Sequence, residues 1–94
     1  MSCVRVELAA LLRSYTGGAS IVEANGATLG EVLDDLDRRF PGIKERIVTG
    51  GGDLHRFVNV YVNAEDIRYL GSLKAEVQEG DTVSILPAVA GGSA

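Results

Sequence analysis

The residues of this chain with the most chemical potential carry almost no side chain. The sequence closes on Pro87-Ala88-Val89-Ala90-Gly91-Gly92-Ser93-Ala94, a run with no charge and no large group. Fully extended, the six residues from Pro87 to Gly92 reach about 20 Å. Gly91 and Gly92 lack a Cβ, so their backbone fits a channel too narrow for other residues. Ordering such a segment costs conformational entropy, which makes it poor structural material. Small-residue termini are also commonly frayed, so the Gly-Gly pair gains meaning only from the elements that precede it.

The other candidates for chemistry are weak. Gly50-Gly51-Gly52 lacks the Lys-Ser/Thr that completes a phosphate-binding loop, and no helix start follows it. His55 is the single histidine and has no triad partner in view, so it reads as a surface or structural residue. Cys3, the single cysteine, excludes an internal disulfide and a thiolate-rich zinc site. Nothing near it in sequence marks it as activated. Glu31, Asp34, Asp35 and Asp37 are spread around a helix among arginines, which favours a solvated face over a metal site. No catalytic residue, cofactor or metal is expected, and no nucleophile–base pair is present to suggest an enzyme.

Composition sets the outer limits. Ninety-four residues, 46% of them hydrophobic, suit one small globular domain with a modest Val/Leu/Ile core and no tryptophan. A formal net charge of −4 argues against nucleic acid, which calls for a concentrated Lys/Arg surface. No apolar run approaches the roughly 20 residues of a membrane span, and the first residues lack a signal-peptide pattern. A cytoplasmic protein is expected, with no membrane partner.

The elements that must position the tail are legible from periodicity. Val4, Val6 and Leu8 alternate with Cys3, Arg5 and Glu7, which predicts a half-buried strand over residues 3–8. Residues 9–15 are ambiguous and could form a helical turn, Gly17-Gly18 breaks the chain, and residues 19–24 predict a second strand. Thr28 with Glu31 three residues on has capping-box spacing. Leu29, Val32, Leu33, Leu36 and Phe40 then form one apolar stripe, with Arg38 and Arg39 placed to suit the helix dipole. Pro41-Gly42 stops this helix. Residues 43–48 could add a turn, and residues 49–53 read as a loop. Residues 57–62 are the strongest strand, with Val58, Val60 and Val62 on one face. Residues 63–66 read as a turn, 67–69 as a short strand, and 82–86 as the last strand after the turn at Gly80-Asp81. Strand pairs flanking a helix predict an α+β sheet covered by a helix on one face. If neighbouring strands carry them, Phe57, Tyr61 and Leu86 form an apolar patch on the opposite, open face, suited to docking a partner. The alternatives are that the 9–18 segment or another copy covers it.

With this order on the page, the ending Gly80-Asp81-Thr82-Val83-Ser84-Ile85-Leu86-Pro87-Ala88-Val89-Ala90-Gly91-Gly92 resembles that of the MoaD/ThiS superfamily of sulfur carriers. The stretch Leu54-His55-Arg56-Phe57-Val58-Asn59-Val60-Tyr61-Val62-Asn63-Ala64-Glu65-Asp66-Ile67-Arg68 resembles the CysO branch of actinobacterial carriers. The resemblance spans nearly the whole chain. It implies a ubiquitin-like β-grasp: a mixed sheet of four to five strands on one main helix over residues 1–87, followed by a flexible tail over 88–94. It also implies a mechanism in which an ATP-dependent activating enzyme of the MoeB/ThiF/MoeZ type adenylates the terminal carboxylate of Gly92. Sulfur then displaces AMP to leave a thiocarboxylate, and a CysM-like or other pathway-specific synthase accepts the sulfur. Residues Ala88, Val89, Ala90, Gly91 and Gly92 would enter the partner's active site.

The chain departs from the simple family pattern by continuing to Ser93-Ala94, which locks the Gly92 carboxyl in a peptide bond. Some carriers of this type are trimmed by a zinc peptidase of the JAMM class, and the resemblance implies the same here, with cleavage between Gly92 and Ser93. A cloning remnant is the competing explanation of the two residues. Sulfur transfer toward cysteine is the expected end use, with thiamin, molybdopterin or a thiolated natural product also open. Two other functions share the tail or the fold: a ubiquitin-like modifier joined to lysine through the same Gly92 adenylate, and a non-covalent β-grasp binding module.

Overall fold

A computed structural model describes residues 2–56 and 58–87. Five strands form one mixed sheet: β1 (Ser2–Leu8), β2 (Ile21–Gly26), β3 (Val58–Val62), β4 (Glu65–Asp66) and β5 (Thr82–Pro87). Their order across the sheet is β2-β1-β5-β3-β4. β1 and β5 run parallel at the centre, and the remaining pairs are antiparallel. The hydrophobic alternation dictates which face is covered. Val4, Val6 and Leu8, then Val58, Val60 and Val62, then Val83 and Ile85 all turn inward and are buried. This is the ubiquitin-like β-grasp arrangement.

Helix α1 (Leu29–Arg39) closes the covered face. Leu29, Val32, Leu33 and Leu36 of its stripe are fully buried, and Phe40 packs partly buried against the same core. The start of α1 follows the capping logic with one variation. Thr28 Oγ1 accepts the Glu31 N–H at 3.3 Å, whereas the Glu31 carboxylate accepts from Ala27 N–H at 2.8 Å, one residue before the box position. A Thr cap of this kind is worth about 1 kcal/mol. The short helix α2 (Ile43–Ile47) buries Ile43 and Ile47, and a 3₁₀ segment, Ala10–Thr16, drops Leu12 into the core.

The expected carboxylate face of α1 is solvated only in part. Asp37 Oδ1 accepts the backbone N–H groups of Gly42 and Lys44 at 3.1 and 3.2 Å, securing the turn between the helices. Asp34 pairs with Lys44. Asp35, with only 14% of its side chain exposed, accepts from Arg38 at 2.7 Å and Arg39 at 3.1 Å, and takes the Asn25 N–H at 3.0 Å. These groups knit α1 to α2 and to β2.

Two local expectations are corrected. Residues 67–69 form a 3₁₀ turn, not a strand; Asp66 caps it by accepting the Arg68 N–H at 2.9 Å, and Ile67 is buried. The short strand lies two residues earlier, at Glu65–Asp66, because Asn63 and Ala64 both take positive φ, 50° and 74°, and fold β3 back on β4 through a two-residue turn. The second strand begins at Ile21 and runs to Gly26, two residues later than its periodicity suggests at both ends. Gly26 is required there: a Cβ would stand 2.7 Å from the Val32 backbone nitrogen, so α1 lies directly on the strand.

Two outcomes follow from this packing. Leu33→Ala should lower stability by about 2–5 kcal/mol in a urea titration, since it empties a fully buried site in the middle of the core. Acid unfolding should carry a contribution from Asp35. Its carboxyl is held below the usual range, first by the hydrogen bond from Arg38 and then by that from Asn25 N–H, with Arg39 adding to both against the cost of burial. A depressed carboxylate pKa stabilises fully above the unfolded-state value and loses that contribution as pH falls through the folded value. Asp35→Asn should therefore flatten the acid limb of the stability–pH curve while leaving the shape of the limb above neutral pH unchanged.

Candidate functional site

The site begins where the tail is rooted. β5 is a central strand, bonded to β1 on one side and β3 on the other, and its last residue, Pro87, stands opposite Val58. On the β1 side the ladder continues as far as Ala9 N–H, which donates to Ile85 O at 2.9 Å. The chain thus leaves the sheet from a fixed point, gripped until its final paired residue. Ala88, Val89, Ala90, Gly91, Gly92, Ser93 and Ala94 lie outside the described residues, as does Phe57.

Beside this root, the open face of the sheet brings together two members of the expected apolar patch. Leu86 stands across from Asn59, and Tyr61 stands across from Ser84, so the two side chains occupy neighbouring strands on the same face. Leu86 is 42% exposed and Tyr61 half-buried. With Ala64 and Ser84 they line a shallow depression of about 310 Å³. The 3₁₀ segment that could have covered this face instead turns its Leu12 into the core.

Sequence reasoning missed the polar groups that frame the patch. Ser84 Oγ donates to Glu7 Oε1 at 3.1 Å across 77 residues of chain. Arg68 reaches back over β3: its guanidinium donates to Asn59 Oδ1 at 3.1 Å, to Asp66 Oδ2 at 3.1 Å and to Val58 O at 3.4 Å. Asn59 and Val58 are the cross-strand partners of Leu86 and Pro87, so a fixed cation sits two strands from the tail root. Asn63 bonds Thr82 in both directions, at 2.8 and 3.0 Å, and Asp81 Oδ1 at 2.9 Å, which pins the entry to β5. The residue types gave no signal of these contacts; only the strand register could have revealed them.

The remaining candidates find structural partners. His55 Nε2 lies 2.8 Å from Glu45 O, and His55 N–H donates to Ile47 O at 3.0 Å, joining the 49–53 loop to α2. Cys3 is half-buried, and its thiol is pushed up by burial and then by Glu23 and Glu79, against the pull of Arg39. Among the described residues no three His, Cys, Asp or Glu side chains group as metal ligands, and no helix is long and apolar enough to cross a membrane.

A ubiquitin-like sheet that ends in a thread of small residues defines the class to which this chain is similar. The profile of the ThiS family matches residues 6–92, and the chain belongs to that family. It is 50% identical over 91 residues to the protein named sulfur carrier protein CysO of Mycobacterium tuberculosis, covering 95% of this chain and 98% of the relative. The crystal structure of M. tuberculosis CysO superposes with a TM-score of 0.89 over 92% of this chain and 99% of that one, at 49% identity. A chain of the crystal structure of the Amycolatopsis orientalis BexX/CysO complex matches with a TM-score of 0.87 and 56% identity, over 95% of this chain and 99% of its own. The small archaeal modifier protein 1 of Methanosarcina acetivorans, solved in solution, gives 0.82 at 31% identity, with 98% of each chain covered.

The open face should tolerate substitution without loss of fold. Leu86→Glu replaces a 42%-exposed side chain at the edge of the depression, and its effect on urea stability is expected to stay within about 1 kcal/mol.

Proposed function

We propose that this chain is a sulfur carrier that works through its own C-terminal carboxylate. The observation that carries this reading is the 50% identity, along 95% of the chain, to proteins named sulfur carriers. The family match that runs through Gly92 supports it. In the proposed cycle a JAMM-type zinc peptidase first hydrolyses the Gly92–Ser93 peptide bond and releases Ser93-Ala94. A MoeB/ThiF/MoeZ-like enzyme then joins the Gly92 carboxylate to AMP from ATP, expelling pyrophosphate. The step is needed because a carboxylate is a poor electrophile, whereas an acyl-adenylate has a good leaving group. Sulfide attacks the Gly92 carbonyl carbon, AMP departs, and the thiocarboxylate remains. A persulfide donor gives an acyl disulfide instead, and a second thiol of the donor protein attacks the donor's own sulfur, forming a disulfide there and releasing the thiocarboxylate. At a synthase, CysM-like or specific to another sulfur-containing metabolite, the thiocarboxylate sulfur bonds to the acceptor. Water then cleaves the acyl link to Gly92, releasing the sulfur product and regenerating the carboxylate.

In this scheme the chain supplies an acyl carbon and a docking body, and its partners supply acid, base and metal. Residues 1–87 act as the body and 88–94 as the substrate arm. Tyr61 and Leu86, with Phe57 beside them in sequence pattern, dock the activating enzyme, and the rooted end of β5 aims Ala88, Val89, Ala90, Gly91 and Gly92 into its channel. The similarity of other chains in complex with a partner, as in the BexX/CysO structure, supports a role exercised within an assembly.

A second reading, a modifier joined to lysine, is favoured by the similarity to small archaeal modifier protein 1. The two diverge only after the adenylate, where an amine rather than sulfur attacks.

Intact mass spectrometry tests the scheme. A chain ending at Gly92, incubated with activating enzyme, ATP and sulfide, should gain about 16 Da as sulfur replaces oxygen, whereas the full-length chain should not change. Absence of the gain on the truncated form with a verified enzyme would reject the carrier reading, and lysine-linked adducts in host extracts would favour the modifier. Tyr61→Glu and Leu86→Glu should each weaken activating-enzyme affinity by about tenfold or more, read by titration calorimetry; unchanged affinity would remove the patch from the docking surface.

A further inference from the structure

β2 is an edge strand, paired with β1 on one side only. The backbone groups of Glu23 and Asn25 in its middle point away from β1, and both are occupied by side chains of α1. Arg39 donates to Glu23 O, and Asp35 Oδ2 accepts the Asn25 N–H at 3.0 Å. Asp35 and Arg39 lie one helical turn apart and are themselves paired at 3.1 Å, while Arg38 holds the other carboxylate oxygen at 2.7 Å. The opposite side of the sheet repeats the arrangement in miniature. There β4 is only two residues long, and Arg68, paired with Asp66 at 3.1 Å, donates to Val58 O on the stretch of β3 that β4 leaves uncovered.

Water satisfies an exposed backbone group as well as a side chain does, so solvation alone does not call for an Asp–Arg pair at these points. What the pair does is occupy one donor, the Asn25 N–H, and one acceptor, the Glu23 carbonyl, of those an incoming strand must engage. We infer that the outer edge of β2 is a latent strand-pairing surface for a second copy of this chain, held closed by Asp35 and Arg39. The sequence of the strand suits self-pairing. With a twofold axis at Ala24, Glu23 of each copy faces Asn25 of the other, so the two outward residues exchange N–H···O bonds and no like charges stand opposite. Ile21, exposed at the start of β2, adds apolar surface to the junction.

Sedimentation of the full chain and of Asp35→Ala/Arg39→Ala tests this. The parent should remain a monomer, and the double variant should associate at least about tenfold more strongly and reach dimer. Adding Glu23→Pro to the double variant removes the outward N–H at the centre of the edge without touching the β1 ladder, and should return the monomer. A folded double variant that stays monomeric at millimolar concentration, a dimer that survives Glu23→Pro, or a parent that dimerises would each overturn the inference. Circular dichroism establishes folding first. If the double variant is unfolded, Asp35→Ser/Arg39→Ser, which keeps polar residues on the helix while withdrawing both groups from the edge, takes its place, and the same outcomes decide.

Discussion

The rest of the structure depends on the parallel pairing of β1 with β5 at the centre of the sheet. These strands come from opposite ends of the chain, with Arg5 registered on Thr82 and Leu8 on Ile85. Until that pairing forms, β1–β2 and β3–β5 are two separate antiparallel pairs, each with a bare apolar face. Once it forms, Val4, Val6, Leu8, Val83, Ile85, Val58, Val60 and Val62 become one surface broad enough for α1 to bury its whole stripe. The entropy of closing a loop of more than seventy residues is offset only by that joint burial. The last of the described strands is therefore the middle one of the sheet.

This constraint also fixes the point at which the residues after Pro87 leave the sheet. A terminus that follows an edge strand frays with the strand. Here the terminus follows a strand bonded on both sides, pinned at its entry by Asn63 and Asp81 and at its exit by Ala9 and Val58. The helix lies entirely on the other face, so the patch around Tyr61 and Leu86 is left open beside the tail root. One sheet thus has a buried face that carries the core and an opposite face left open around Tyr61 and Leu86.

The charges are distributed by the same logic. A net charge of −4 suggests a diffuse acidic surface, yet several of the acids have local assignments. Asp37 secures the turn into α2, Asp34 holds Lys44, Asp35 joins α1 to β2, and Asp66 caps a turn and holds Arg68. Most of these are exposed or part-exposed pairs of modest energy. Their contribution lies more in placing backbone groups and covering strand edges than in Coulombic stabilisation.

Sequence alone determined the elements with strong periodicity. The alternation of β1, β3 and β5, the stripe and cap of α1 and the stop at Pro41-Gly42 are local patterns, set by which side chains must leave water together. The thread of small residues before Gly92 was equally visible, because the absence of side chains is itself a sequence property. Tertiary structure alone decided the rest. It placed β5 between β1 and β3, set Tyr61 and Leu86 on adjacent strands, bent residues 67–69 into a turn instead of a strand, and made Gly26 indispensable beneath α1. It also gave Arg39 and Arg68 their places on strand edges. Apart from the turn at 67–69, which Asp66 caps locally, these rest on contacts between residues apart in sequence, and such contacts are chosen by the register and packing of the whole sheet rather than by any local preference.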